Sequence, residues 1–330
     1  MSGAFDRADL LRRAAFAAVA PTSFLQAHPR WRFVFVNHAT TNPFFTPARY
    51  GSQDACSLYG VAATWTGSRR SNVAEMVAAM NRAIRNGADG IAVSVIDPLA
   101  FNEPTARALA DGIPVISYNA DGGQDNARLA YVGQDLYQAG LKFGARIAEL
   151  VREGDVFLFI ATPGQLNMQP RVDGARDAIR DSGMPIQLHV VASGADVGVE
   201  RQRIEKTYLA HRGMRGMFAV DGGSTAGVAE VVRKYALHRK GVKAGGFDLL
   251  AGTLRSIAAG RLDFTIDQQP YLQGYVPVQQ LFLYRYSGGL VSPAETNTGL
   301  KFVTRKNVKL YLTTHTRYEG SSAREKYPAS

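Results

Sequence analysis

From residue 33 onward the chain alternates short apolar runs with stretches whose apolar positions recur every three or four residues, which is the mark of strands and amphipathic helices in turn. Phe33-Val34-Phe35-Val36 is the first run. Val73, Val77, Met80 and Ile84 then recur at helical spacing, and Asn86-Gly87 supplies a C-terminal stop before a buried strand at 91–96. A further helix runs to Ala110, is broken by Asp111-Gly112, and gives way to a strand at 113–118. The pattern restarts after Val132-Gly133-Gln134-Asp135. Leu136, Phe143, Ile147 and Leu150 predict a helix, and strands are predicted at 156–160, 187–191, 217–220 and 244–248. A late strand at 264–269 is placed to cross back to the first half, where the apolar segment 275–284 supplies another helix.

Strands alternating with helices predict parallel sheets made of strand–helix–strand units, and the restart predicts two of them. The expected fold is therefore α/β, with two Rossmann-like doubly wound domains. A length of 330 residues agrees, since one core rarely serves so long a chain. The predicted boundaries put an N-terminal extension at 1–30, domain 1 at 31–133 plus 269–297, domain 2 at 134–268 plus 298–312, and a C-terminal tail at 313–330. Hinges are expected near Gly133-Gln134, Asp267-Gln268 and Asn297-Thr298.

Composition narrows the function. The net charge is +10, but the densest basic groups are only pairs such as Arg12-Arg13, Arg69-Arg70 and Arg239-Lys240, without the interleaved aromatics of a nucleic-acid reader. No nucleic-acid partner is expected. Cys56 is the only cysteine, which excludes an internal disulfide, and the six histidines are isolated, so no metal site or cofactor is expected. Near the N-terminus, Arg12-Arg13 followed by a short apolar stretch reads either as an export signal of twin-arginine type or as a surface helix.

The candidate chemistry gathers where strands end. Each predicted strand runs into polar residues, and in open parallel sheets ligands sit at those ends. The collected set is His38, Asn42, Asn119, Asp121, Asp221, Asp248 and Gln268, joined by Arg171 at a helix start and by Phe44 and Phe45 beside Asn42. Carboxylates, amides and a guanidinium can each meet vicinal hydroxyls in a two-pronged way, while aromatic rings cover the C–H face of a sugar. For any one Asp or Asn the alternative is a helix cap.

In order and spacing, Asn42-Pro43-Phe44-Phe45, Ile113-Pro114-Val115-Ile116, Arg171-Val172-Asp173-Gly174, Phe218-Ala219-Val220-Asp221, Gly246-Phe247-Asp248 and the run 260–268 resemble the ribose-binding type of periplasmic solute-binding protein. The resemblance spans about residues 31–312. It implies two domains joined by three hinge strands, closing on a monosaccharide or sugar alcohol and presenting it to an ABC permease. It also implies a monomer working in the periplasm or at the cell surface. By this resemblance Phe44 and Phe45 are stacking or wall residues, Arg171 is the main donor, Asn42 and Asp248 take ligand hydroxyls, and Gln268 touches the ligand at a hinge. The chain departs from the family pattern in carrying Asn119-Ala120 followed by Asp121 in place of an Asp-Arg pair, and Asp221 in place of Asn. His38 likewise replaces a small polar residue.

Two other classes fit the pattern less well. Asp221-Gly222-Gly223-Ser224-Thr225-Ala226-Gly227 lies between a strand and a helix, as a nucleophile elbow would, but Ala226 stands at the second glycine of that motif. No enzyme is expected. A sugar-responsive regulator would need a helix-turn-helix ahead of the first strand, where only about thirty residues stand, although a ligand-sensing protein coupled to a receptor is compatible with the same fold.

Overall fold

A computed structural model describes residues 28–289 and 294–313; the N-terminal basic-apolar stretch and the tail beyond Thr313 lie outside them. The described residues form two six-stranded sheets. The first is ordered β2-β1-β3-β4-β5-β11, from β1 (Arg32–Asn37), β2 (Ala62–Gly67), β3 (Gly90–Val93), β4 (Val115–Tyr118), β5 (Ala130–Gly133) and β11 (Glu295–Asn297). All its pairings are parallel. The second is ordered β7-β6-β8-β9-β10-β12, from β6 (Gly154–Ile160), β7 (Ile186–Ala192), β8 (Gly216–Ala219), β9 (Lys243–Phe247), β10 (Phe264–Asp267) and β12 (Lys301–Thr304). It is parallel except for β12, which runs antiparallel to β10.

Helices cover both faces of each sheet, which is why the inner strands read as unbroken apolar runs: β3, β4, β5, β8 and β10 are buried at every position. In the first lobe α1 (Thr46–Tyr59) and α9 (Pro270–Ser287) lie on one face, where Phe33, Phe35, Val278, Leu281 and Phe282 share a core, and α2 (Val73–Arg85) and α3 (Asn102–Ala110) lie on the other. The second lobe is built likewise from α4 (Leu136–Val151) and α5 (Gln169–Asp181) on one face. Helices α6 (Val197–Ala210), α7 (Gly222–Lys234), α8 (Ala251–Ala258) and α10 (Val308–Thr313) serve the other. Close packing of α1 on α9 depends on Gly51 and Gly274, since a Cβ at Gly274 would stand 1.7 Å from the Ala48 carbonyl oxygen.

The chain passes between the sheets three times, after β5, after β10 and between β11 and β12. The crossings are knitted together: Thr298 N–H donates to the Gly133 carbonyl (2.8 Å), Gln134 Nε2 to the Gly299 carbonyl (3.0 Å), and Thr298 Oγ1 to the Gln268 carbonyl (2.8 Å). Strand order reverses between β1 and β3 in one sheet and between β6 and β8 in the other, so each lobe opens a crevice at its carboxyl ends. The two crevices face one cleft.

Candidate functional site

The first wall starts from β1. Asn37, at its end, donates from Nδ2 to Tyr118 Oη (2.8 Å) and accepts the Ala39 N–H (2.7 Å), which turns the chain and sets His38 over the switch point. His38 is buried and bonded through Nδ1 to Ser94 Oγ (2.9 Å), and its Nε2 lies 3.3 Å from Asn167 Nδ2 of the other lobe. With the Asn167 amide turned this way Nε2 accepts and the proton sits on Nδ1. Burial agrees, pushing the imidazole down to about 4. Next to it Pro43–Phe45 forms a 3-10 turn capped by Asn42, whose Oδ1 accepts the Phe44 N–H at 3.0 Å. Asn42 is thus both cap and rim residue. Phe45 is only 1% exposed and meets His38 and Phe44 edge to face, with centroids 5.1 and 4.7 Å apart. Asn119, in the left-handed region at φ 65°, donates to Gln273 Oε1 (3.0 Å) at the start of the return helix α9.

The second wall carries the buried charge. Arg171, in the first turn of α5, is buried with its guanidinium 4.1 Å from the Phe247 ring centroid; Nη1 donates to the Val220 carbonyl (2.9 Å) and Nη2 to Gln134 Oε1 (3.0 Å). Its Nε has no hydrogen-bond partner among the described residues. Asp221 caps α7: its carboxylate accepts the Ser224 N–H (2.8 Å), the Ser224 hydroxyl (2.9 Å) and the Ala161 N–H (3.0 Å), so it ties β8 to β6 across the second switch point. Asp248, at φ 72°, accepts from Gln268 Nε2 at 2.7 Å. Burial raises both carboxyls, Asp248 to about 6, against the opposing pull of Arg171. Gly246 must lack a side chain here, because a Cβ would stand 2.1 Å from Thr225 Oγ1, which accepts the Phe247 N–H.

Between the walls lies a cleft of about 780 Å³. The lobes also touch directly: Leu166 N–H donates to the Ile96 carbonyl (2.9 Å) and Gln165 Nε2 to the Ser71 carbonyl (3.2 Å). Of the residues singled out from the sequence, His38, Asn42, Phe44, Phe45, Asn119, Arg171, Asp221, Asp248 and Gln268 all border this cleft. Asp121 does not. Its carboxylate is taken by Arg128, whose Nε donates at 2.7 Å, and by the Ser117 hydroxyl at 2.7 Å, so it fastens its own loop beside β4 and β5. Nor does Ser224 stand as a nucleophile: its buried hydroxyl is bonded to Asp221 and, at 2.7 Å, to Ser193 Oγ.

The cleft also holds residues that strand-end reasoning passed over. Asn167, one turn ahead of Arg171, faces it from the loop between β6 and α5, and its Oδ1 is buried without a partner among the described residues. Its place four residues before Arg171 was the available signal. Glu200 of α6 borders the cleft at 3% exposure, and Arg69, Arg70 and Asn72 face it from the loop after β2.

Residues 33–285 match the family model described as a periplasmic binding protein domain. The xylose/arabinose-binding protein XylF of Sulfolobus acidocaldarius is 48% identical over 309 residues, which cover 89% of this chain and 76% of that one. Among solved structures, an ABC transporter solute-binding protein of Burkholderia graminis in complex with D-arabinose superposes with a TM-score of 0.79 at 24% identity, covering 87% of this chain and 98% of that one. GanP, a glucose-galactose binding protein of Geobacillus stearothermophilus, superposes with a TM-score of 0.77 at 26% identity, covering 84% and 99%.

Proposed function

The chain belongs to the periplasmic binding protein family and is a solute-binding protein, and from that premise we propose that it captures a small sugar or sugar alcohol between its lobes and delivers it to an ABC permease. The observation that carries this reading is the convergence of Arg171, Asp221 and Asp248 on one wall with Phe45, His38 and Asn119 on the other. Planar charged groups take hydroxyl pairs, and an aromatic edge shelters C–H surface. We assign domain 1 to 31–133 plus 269–297 and domain 2 to 134–268 plus 298–312, with rotation absorbed at the three crossings. The protein works as a monomer outside the cytoplasmic membrane and performs no chemistry on its cargo.

Capture follows from differential affinity. A ligand bonded to both walls stabilises the closed state over the open one by the contacts it makes only there. Arg171 meets the ligand with the part of its guanidinium that borders the cleft, and Asp248 and Asn119 take hydroxyls near the hinge. Asp221 has three of its acceptor positions filled by its own lobe, and so offers the ligand few. His38 presents no charge and holds Asn167 so that Oδ1 accepts from the ligand.

The test is a thermal-shift screen against pentoses, hexoses, pentitols, inositols and nucleosides, followed by calorimetry on the hits. A response confined to one stereochemical group of sugars or polyols supports the reading. A flat panel, or a response to nucleosides alone, refutes it.

A further inference from the structure

The cleft is bordered from β2 to β4 across the first sheet and from β7 to β10 across the second, and four or five strands at about 4.8 Å spacing make that roughly 14–19 Å. The groups discussed so far come from the hinge side and the middle: Asn119 follows β4, Asp248 follows β9, Gln268 follows β10, and His38 and Asp221 sit at the switch points. The other end is built by the loops after β2 and β7, the edge strands farthest from the crossings.

Glu200 stands there, in the first turn of α6. It is 3% exposed and borders the cleft, and its Oε2 has no partner at normal hydrogen-bond geometry among the described residues, with the Ser224 side chain nearby. An unpartnered buried carboxyl oxygen is costly to keep unless something else meets it. Burial, with Asp221 and Asp196 nearby, raises this carboxyl against the pull of the Ser224 side chain, and so favours the protonated form that both donates and accepts. The start of α7 is shaped around it. A Cβ on Gly223 would stand 2.4 Å from Glu200 Oε2, and one on Gly222 would stand 2.7 Å from Asp248 Oδ2. Two glycines therefore make a strip without side chains, with a carboxyl at the hinge end and another at the far end. Arg70 and Asn72, both exposed, face this far end from the first lobe.

We propose that the far end is a second saccharide subsite, so that the cleft takes a disaccharide whose distal unit bonds to Glu200 and lies against Arg70 and Asn72. The inference rests on the sugar-binding reading of the same cleft. Hydroxyls suit this lining because they donate and accept in turn. An apolar aglycone would strip water from a carboxyl, an amide and a guanidinium without replacing their hydrogen bonds.

The experiment is calorimetry on the full chain with monosaccharides paired to disaccharides that contain them: D-xylose with xylobiose, L-arabinose with arabinobiose, D-glucose with cellobiose and maltose. Glu200→Gln, Glu200→Ala and Asn72→Ala are measured beside the wild type, with thermal unfolding to check that each folds. The expected result is at least one disaccharide bound as tightly as its monosaccharide or more tightly. Both Glu200→Ala and Asn72→Ala should then lower the disaccharide-to-monosaccharide affinity ratio about tenfold, with Glu200→Gln retaining part of it. Monosaccharide binding with every disaccharide at least a hundredfold weaker overturns the second subsite and leaves the sugar-binding reading standing. An unchanged ratio in the folded Glu200→Ala and Asn72→Ala proteins also overturns it. No binding of either class sinks both.

Discussion

The two lobes share one strand order and one place for a ligand, yet the buried groups of their walls are chemically opposite. At the first switch point β1 and β3 are bridged by a neutral pair, His38 and Ser94, beside Phe44 and Phe45; at the second, β6 and β8 are bridged by a carboxylate, Asp221, with Arg171, Asp248 and Glu200 around it. In the proposed reading the same backbone thus supplies a covering wall and a selecting wall. What differs is the support. The aromatic wall is continuous with the core of its lobe, whereas the charged wall is held by hydrogen bonds to carbonyls and amides. Fold places the ligand, and side-chain support decides what each wall can do with it.

Breaking the covering wall gives the largest effect. Phe45→Ala empties a site that is 1% exposed and packed with Phe35, Trp65 and Tyr118, so it is expected to lower stability by about 3–5 kcal/mol, read by denaturant unfolding. Phe44→Ala, at a half-buried ring, should weaken ligand binding with much less loss of stability, and an equal loss from the two would dissolve the contrast between core and cover. On the selecting wall, Arg171→Ala is expected to weaken binding by about 2–5 kcal/mol, because it leaves Asp221 and Asp248 without their buried cation. Calorimetry showing tight binding by that variant would remove Arg171 from the site. Asp221→Asn replaces an acceptor of three donors by a group that must turn an NH₂ toward one of them, at about 1–3 kcal/mol. It should shift ligand preference along with stability.

The smallest effect concerns pH and separates the walls by sign. Glu200 and Asp248 titrate higher folded than unfolded, so their contribution to stability is full below the ordinary carboxyl range and is lost as pH rises through about 6 for Asp248 and about 8 for Glu200. His38 titrates lower folded, so its contribution is full above 6.5 and is lost as pH falls toward about 4. Between pH 6.5 and 8 the melting temperature should therefore fall as pH rises, by about 2–4 °C. Glu200→Gln should flatten that slope. A slope unchanged in Glu200→Gln would show that another group governs the window.

Much of this was legible in the sequence, for a physical reason. Strands buried on both faces must be apolar throughout, and a polar residue is admitted where the strand meets solvent, so Asn119, Asp221 and Asp248 stood out as punctuation. Asp121 had the same appearance, but Arg128, seven residues on, neutralises it within the loop, and such a pairing leaves no trace in strand periodicity. Strand β12 was not foreseen because Lys301–Thr304 is short and antiparallel at an edge. Glu200 was missed because α6 carries Glu-Arg-Gln-Arg, which reads as a solvated helix face; only the tertiary approach of α7 buries that one carboxyl. The positions of Asn42 to Phe45 were visible, whereas the division of labour between a rim cap and a core ring was not.

The three crossings also set a timetable for the ribosome. Phe33 and Phe35 are among the earliest core residues to emerge, but Val278, Leu281 and Phe282, which cover them, are translated after every strand of the second sheet except β12. The lobe that begins first is completed almost last, and until then it holds an aromatic face open to other nascent chains and to whatever chaperone attends them. Neither lobe can be obtained by cutting the message short: a stop after β10 would release a first lobe without α9 and β11 and a second without β12.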